Sequence, residues 1–495
     1  MALTLISSLV FCLVVLCVFN KVVYNLYFHP LARFPGPSLW CASRIPFLWK
    51  MLRGELPRKI KAYHDKYGPV VRVAPDELSF DDPAAWKDIY LNQTLDRLSQ
   101  LQSRATGSSV DDVLTSPIRI HPNVQEISGP AFSEASTDSY EPIVVQAVEK
   151  LIASLKSSIS TKEHDNSALD IVKWLKLASF DIAAEIIWGS GFGCLESGQG
   201  NIVLEYAFSY REKMPPTAIA FYPFSGFFSH LLSLLDTRST AVHELCRRKA
   251  AERLSRQRET LPAQQDQLDN DITITEIEQA SIQAIMANSG PIAAVLAGTL
   301  NYLLRNPSKH DKLVQEIRGS FNSEAEINGD TTRSLSYLHA VVMEGLRIAP
   351  PVPDGLRRRV PADGLVVAGC SVPSKTTVST GCWVQFMNPR NFACPSEFVP
   401  ERWLHAKGAG GTGGRTIIDT ANQEAFYPFG LGSRRNFGEP LAWLELKLTL
   451  AKLLWNFDIS IPPGKQLPAW PEQNVFWFWD VQPMEVSLGL HRRFQ

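Results

Sequence analysis

Between Thr275 and Arg305 the chain holds a helical pattern for about thirty residues, more than twice the usual length of a globular helix. A helix that long crosses the whole body that contains it, and the other elements must be laid around it. Two overlapping capping patterns, Thr273 with Glu276 and Thr275 with Glu278, mark its start. Pro291 sits at its middle, where the ring removes a backbone donor and crowds the carbonyl of Ala287, so a kink is expected there. At 495 residues and 45% hydrophobic content, the chain has enough apolar side chain to bury such a helix, in one large domain or two packed subdomains.

The flanking segments point to a mainly α fold with a small β subdomain, an α+β class. Apolar residues recur at helical spacing from about Val145 to Ala250, and Leu335 to Leu346 gives a further amphipathic helix. Arg256 to Asp271 is polar and reads as an exposed linker, and Gly408 to Gly414 reads as a flexible surface loop. Strand signals are few. Val70 to Pro75 follows the Tyr67-Gly68-Pro69 turn, with Leu78-Ser79-Phe80 placed to pair with it, and strand-like, proline-rich segments follow Leu346 as far as Thr380.

Ala2 to Phe19 is an uncharged apolar run of eighteen residues, about 27 Å long as a helix. That is long enough to span a thin bilayer. A signal peptide would pass the same length test, but no basic residue follows Met1 and no small-x-small site closes the run. We read residues 1–20 as a membrane anchor, 21–40 as a linker with the hinge Phe34-Pro35-Gly36-Pro37, and 41–495 as the body. Lys21 and Arg33 place that body on the cytoplasmic side, most naturally at the endoplasmic reticulum.

Forty-nine basic and fifty acidic residues leave a net charge of −1, which offers no footprint for nucleic acid or for acidic substrates. The expected partner is a small apolar molecule. Eight cysteines are scattered without paired spacing, which suits a reducing compartment.

Three motifs then occur in order: Glu344-Gly345-Leu346-Arg347, Phe398-Val399-Pro400-Glu401-Arg402-Trp403, and Phe429-Gly430-Leu431-Gly432-Ser433-Arg434-Arg435-Asn436-Phe437-Gly438. In this order and spacing they resemble the cytochrome P450 family in its microsomal fungal form. The likeness reaches from the N-terminal run to Leu450-Ala451-Lys452-Leu453-Leu454-Trp455-Asn456-Phe457. It implies the cytochrome P450 fold preceded by a transmembrane helix, a haem cofactor, and a structural triad of Glu344, Arg347 and Arg402, tolerable when buried because bidentate hydrogen bonds offset desolvation.

The resemblance fails at the chemistry. The family pattern is Phe-x-x-Gly-x-Arg-x-Cys-x-Gly; Phe429, Gly432, Arg434 and Gly438 match it, but Asn436 stands where the haem-ligating cysteine belongs. A thiolate pushes electron density onto iron and favours O–O cleavage, which a neutral carboxamide does not. Cys394, the nearest upstream, is about forty residues away. In the long helix the family reads Ala-Gly-x-Glu/Asp-Thr-Thr, and the matching stretch is Ala287-Asn288-Ser289-Gly290-Pro291-Ile292, so Gly290 replaces the acid and Pro291 the first alcohol of the proton relay. Ser289 retains a hydroxyl, of a kind more often bonded back to its own helix. Around His121 to Glu126, where relatives place propionate-binding arginines, Glu126 would repel a propionate, whereas Arg358 keeps another propionate-binding position.

Haem is therefore expected to be absent or abnormally bound, a reductase partner is doubtful, and no residue is singled out as a catalytic acid or base or as a ligand for any other metal. Three readings follow from the resemblance and its departures. The first is a haem-independent cyclisation, isomerisation or dehydration in specialised-metabolite biosynthesis. The second is a non-catalytic scaffold for pathway enzymes or a metabolite-binding protein. The third is an unusual monooxygenase with water or Asn436 at the axial position.

Overall fold

The computed structural model describes residues 2–92, 95–97, 134–160, 168–209, 211, 237–260, 274–404, 421–432, 435, 436 and 438–491. The segment His121 to Glu126, the loop Gly408 to Gly414, Thr273 and Arg434 lie outside them.

Helix α1, Ala2–Val23, passes directly into a π-helical turn, Tyr24–Phe28. Its apolar side chains from Leu5 to Phe19 stay exposed instead of packing on the body. One apolar helix is thus long enough to cross a bilayer. It runs past the boundary drawn at residue 20, because the lone charge of Lys21 is followed by Val22, Val23 and Leu26, which continue the helix. The base of this helix is tied to the body: Asn25 is buried, its Nδ2 donates to Ala42 O at 2.8 Å, and its carbonyl accepts from Arg72 Nη1 at 2.9 Å.

The body is mainly helical with small sheets. Its principal helices are α2, Glu134–Ser160; α3, Ile171–Trp188; α4, Thr237–Thr260; α5, Ile274–Arg305; α6, Ser336–Ile348; and α7, Glu439–Asn456. Helix α4 corrects part of the expected linker, since Arg256 to Thr260 are helical. Arg, Gln and Glu are good helix formers and extend the turn that precedes them. Helix α5 is the long central element. All its residues from Ser289 to Leu303 are buried, so it is a core helix covered on every side. It continues as one helix through Pro291, leaving the Ala287 carbonyl without its usual donor four residues on.

Val70–Ala74 pairs antiparallel with Glu77–Phe80, as the turn before them predicts, and opens a five-stranded sheet that continues through Thr377–Ser379, Arg358–Arg359 and Asp96–Arg97. A second sheet joins Leu169–Asp170, Glu485–Leu490 and Phe457–Ser460. Helix α3 is anchored beside it: Asp170 caps the helix by accepting from Val172 N at 3.0 Å and also accepts from Met484 N at 2.9 Å. Where α5 meets α6 a side chain at Gly345 would collide with Thr299 Oγ1, so glycine is what lets the two backbones approach.

Candidate functional site

The cavity lies where α5, the end of α6, the loop from Phe429 to Gly438 and α7 converge. Its volume is about 20 Å³, room for about one water and well below the range of small-molecule pockets. Pro291, Ile292, Val295, Leu346, Pro351, Phe429, Ala442 and Leu446 give it apolar walls. Three polar side chains interrupt them: Asn288 from α5, Asn436 from the loop and Glu445 from α7.

The loop is held by its own backbone and by two glycines. Asn436 N donates to Phe429 O at 2.9 Å, closing the loop on itself. Gly432 adopts φ +78°, and a Cβ there would sit 2.9 Å from Tyr90 O, so the turn requires glycine. Asn436 Oδ1 accepts from Gly438 N at 3.0 Å, and its Nδ2 has no hydrogen-bond partner among the described residues. A Cβ at Gly438 would lie 2.9 Å from Asn288 Oδ1 and 3.4 Å from Asn436 Oδ1, so the Asn288 side chain reaches from the long helix to the loop. Asn288 is steadied by donating Nδ2 to Ala284 O at 2.8 Å.

Glu445 is the side chain that sequence reasoning missed. It is 2% exposed, its Oε2 has no hydrogen-bond partner, and burial pushes its carboxyl well above the ordinary range. A signal was present: an acid flanked by Leu444 and Leu446, one turn beyond Leu441 and Ala442, sits on an apolar helical face.

Of the residues singled out from sequence, Pro291, Phe429 and Asn436 line the cavity and Gly438 touches its polar groups. Gly290 is buried on α5 but is not in the lining. Ser289 donates its hydroxyl to Ile285 O at 2.6 Å and spends it within the helix. Arg358 is also outside the lining; it is 5% exposed, donates Nη1 to Arg357 O at 3.2 Å and lies over the Tyr90 ring at 5.3 Å. None of the described residues lining the cavity is a cysteine.

Glu344, Arg347 and Arg402 meet elsewhere in the body. Glu344 is fully buried and receives Arg347 Nη2 at 2.7 Å, Arg402 Nε at 3.2 Å, Trp403 Nε1 at 2.8 Å and Val399 N at 2.9 Å. Burial alone would raise its carboxyl, but the charges and hydrogen bonds of Arg347 and Arg402 bring it below the usual range. This is a polar knot binding α6 to the segment around Trp403, with Arg402 Nη2 left without a partner among the described residues.

The family model for cytochrome P450 matches residues 35–481. The chain is 34% identical to the cytochrome P450 monooxygenase aclL of Aspergillus oryzae, over 96% of both chains. It is 31% identical to the monooxygenase astA of Talaromyces wortmannii, covering 94% of this chain and 93% of that one. To the monooxygenase alt3 of Alternaria solani it is also 31% identical, over 96% of this chain and 92% of its relative. With the family model matching residues 35–481 and a relative 34% identical over 96% of both chains, this chain belongs to the cytochrome P450 family.

Proposed function

We infer that this chain carries out a haem-independent step, a cyclisation, isomerisation or dehydration of an apolar intermediate in fungal specialised metabolism, while tethered to the endoplasmic reticulum by α1. The observation that carries the reading is Asn436, which lines the cavity from the loop where the family places its anionic sulfur ligand. A neutral carboxamide supplies no thiolate charge, and its oxygen is already engaged by Gly438 N. The reach of Asn288 to Gly438 adds a steric argument, because a side chain spans from helix to loop at the level of that ligand position. The donor set does not fit a haem-thiolate group.

What the site offers instead is apolar walls with three convergent polar groups, and the reading requires α5, the loop and α7 to part to admit an apolar molecule between them. The named relatives are monooxygenases; the present chain shares their frame, and the reading assigns it a reaction that needs no reductase. The test is turnover by purified full-length protein, with its haem content measured, on candidate pathway intermediates. Product formed by haem-free protein without NADPH or reductase is the expected result. Stoichiometric haem, or turnover that requires NADPH, would overturn the reading.

A further inference from the structure

Resting on that haem-independent reading, we propose that Asn288 closes the porphyrin compartment itself, so that the chain folds to completion with protein packing where the family holds haem and admits no porphyrin at rest. In the family the axial ligand and the proton relay face each other across the macrocycle. Here the two matching positions, Asn436 and Pro291, line one cavity of about 20 Å³, which takes about one water. Pockets for drug-sized molecules begin at about 300 Å³, and a porphyrin with its propionates needs no less. The space between ligand position and relay position is filled by side chains.

Asn288 stands where the family pattern has glycine. A glycine puts nothing between α5 and the loop, whereas Asn288 puts a carboxamide there. Its Oδ1 lies 2.9 Å from the position that a Cβ on Gly438 would take, and its Nδ2 donates to Ala284 O at 2.8 Å, which holds the group in place. Asn436 meets it from the loop, its own Oδ1 fixed by Gly438 N at 3.0 Å. Ile292, Val295, Leu346 and Leu446 are buried around the two carboxamides, and a wall packed in this way yields little to an added group. Arg358, the retained propionate position, is outside the lining, with its guanidinium over the Tyr90 ring at 5.3 Å.

Exclusion by space differs from the loss of an axial ligand. A chain that lacks only the ligand still offers a slot for the macrocycle; this one has α5, the loop and α7 in direct contact, and that contact gives the support a cofactor would otherwise give. The parting that turnover requires is compatible with closure at rest. A flexible molecule enters at one edge and adapts its shape, whereas a rigid planar macrocycle needs the whole slot at once.

Metal-free protoporphyrin IX separates the two effects, because it asks for room and has no iron to ligate. Full-length protein in detergent, purified from cells grown with and without a haem precursor, is titrated with it. Circular dichroism induced in the porphyrin band reads binding to protein, since porphyrin dissolved in micelles gives none. The expected result is a cooperative melt with the same midpoint in both preparations, and no saturable signal at about ten micromolar porphyrin. Asn288→Gly is expected to bind at least about tenfold more tightly than the native chain, and Asn288→Leu, which fills the space without a hydrogen bond, to stay closed. One metal-free porphyrin per native chain, or an Asn288→Gly chain that folds and binds no better, overturns the proposal and leaves the haem-independent reading standing. Stoichiometric haem in the native protein overturns both. Because titration of the native chain can overturn the proposal by itself, a variant that fails to fold does not blunt the test.

Discussion

Asn436 Oδ1 accepts the Gly438 amide proton at 3.0 Å, so the carboxamide is oriented by the backbone of the loop that carries it. That amide is also positioned to donate to a sulfur placed at residue 436, and Asn436→Cys therefore restores an anionic donor without rebuilding the loop. Asn288 still reaches to Gly438 in that variant. We expect Asn436→Cys to take up less than one haem per chain, and Asn288→Gly added to it to raise uptake. Pyridine haemochrome content and carbon monoxide difference spectra measure both; stoichiometric haem in the single variant would show that Asn288 is no obstacle.

The frame of the molecule was legible because its signals are local or ordered. A thirty-residue helical pattern, a glycine-proline turn before two short strands, and an eighteen-residue apolar run each act over their own length. Asn436 was legible because the loop motif surrounds it. Glu445 and the reach of Asn288 were not, since what matters is whether a partner arrives from another element. Leu444-Glu445-Leu446 shows an acid on an apolar face but cannot show that no donor meets it. The end of α4 was misread because Arg, Gln and Glu suit a polar linker and a helix equally well.

The Glu344 knot predicts a large loss of stability. Its two oxygens serve two guanidinium groups, an indole N–H and a backbone N–H, all buried. Glu344→Gln leaves Arg347 and Arg402 without a counter-charge, and breaking such a pair costs about 3–5 kcal/mol. Because the Glu344 carboxyl is held below its ordinary range, this stability is present above its unfolded value of 4.5 and is lost as pH falls through the lower folded value. Denaturant titrations of the body at neutral pH and at acid pH read both effects, and a loss under 1 kcal/mol would remove the knot from the fold's supports.

Two buried groups, His64 on the helix Leu56–Tyr67 and Asp81 just after the strand Glu77–Phe80, titrate with opposite sign. His64 Nδ1 meets Gly68 O at 2.9 Å and Nε2 meets Ser79 Oγ at 2.8 Å, a pattern that suits a neutral ring, and burial depresses its pKa to about 4. Between pH 6.5 and 4 the unfolded chain takes up a proton that the folded chain refuses, so stability falls as pH falls through that window. Asp81 is raised to about 7 by burial, so its contribution is present below 3.8 and is lost as pH rises towards 7. Each masks the other in the native protein. Thermal melts across this range are expected to show a shallower acid loss in His64→Gln and a steeper one in Asp81→Asn.

Helix α1 predicts the location of the chain. Its apolar surface, exposed from Leu5 to Phe19, is long enough to enter the hydrocarbon of a bilayer. The native protein is expected to resist alkaline carbonate extraction from microsomes, and a chain lacking residues 1–23 to be released. Protease added outside sealed microsomes should remove the body, since Lys21 and Arg33 follow the span. A protected body would reverse the orientation, and processing that removes α1 would make it a signal sequence.

Glu445 and Glu344 respond to removal in opposite directions. Glu344 is an acid with every lone pair used, and losing it strands two cations. Glu445 is an acid with an orphan oxygen in an apolar wall, and an unsatisfied buried polar group costs about 1–3 kcal/mol. Replacing it with a side chain of similar length and no polar atoms, Glu445→Met, removes that cost with little change in volume. The variant is expected to be more stable than the native protein by about 1 kcal/mol or more, seen as a higher melting temperature. A destabilised Glu445→Met would mean that the carboxyl has a structural partner and that its burial is ordinary packing.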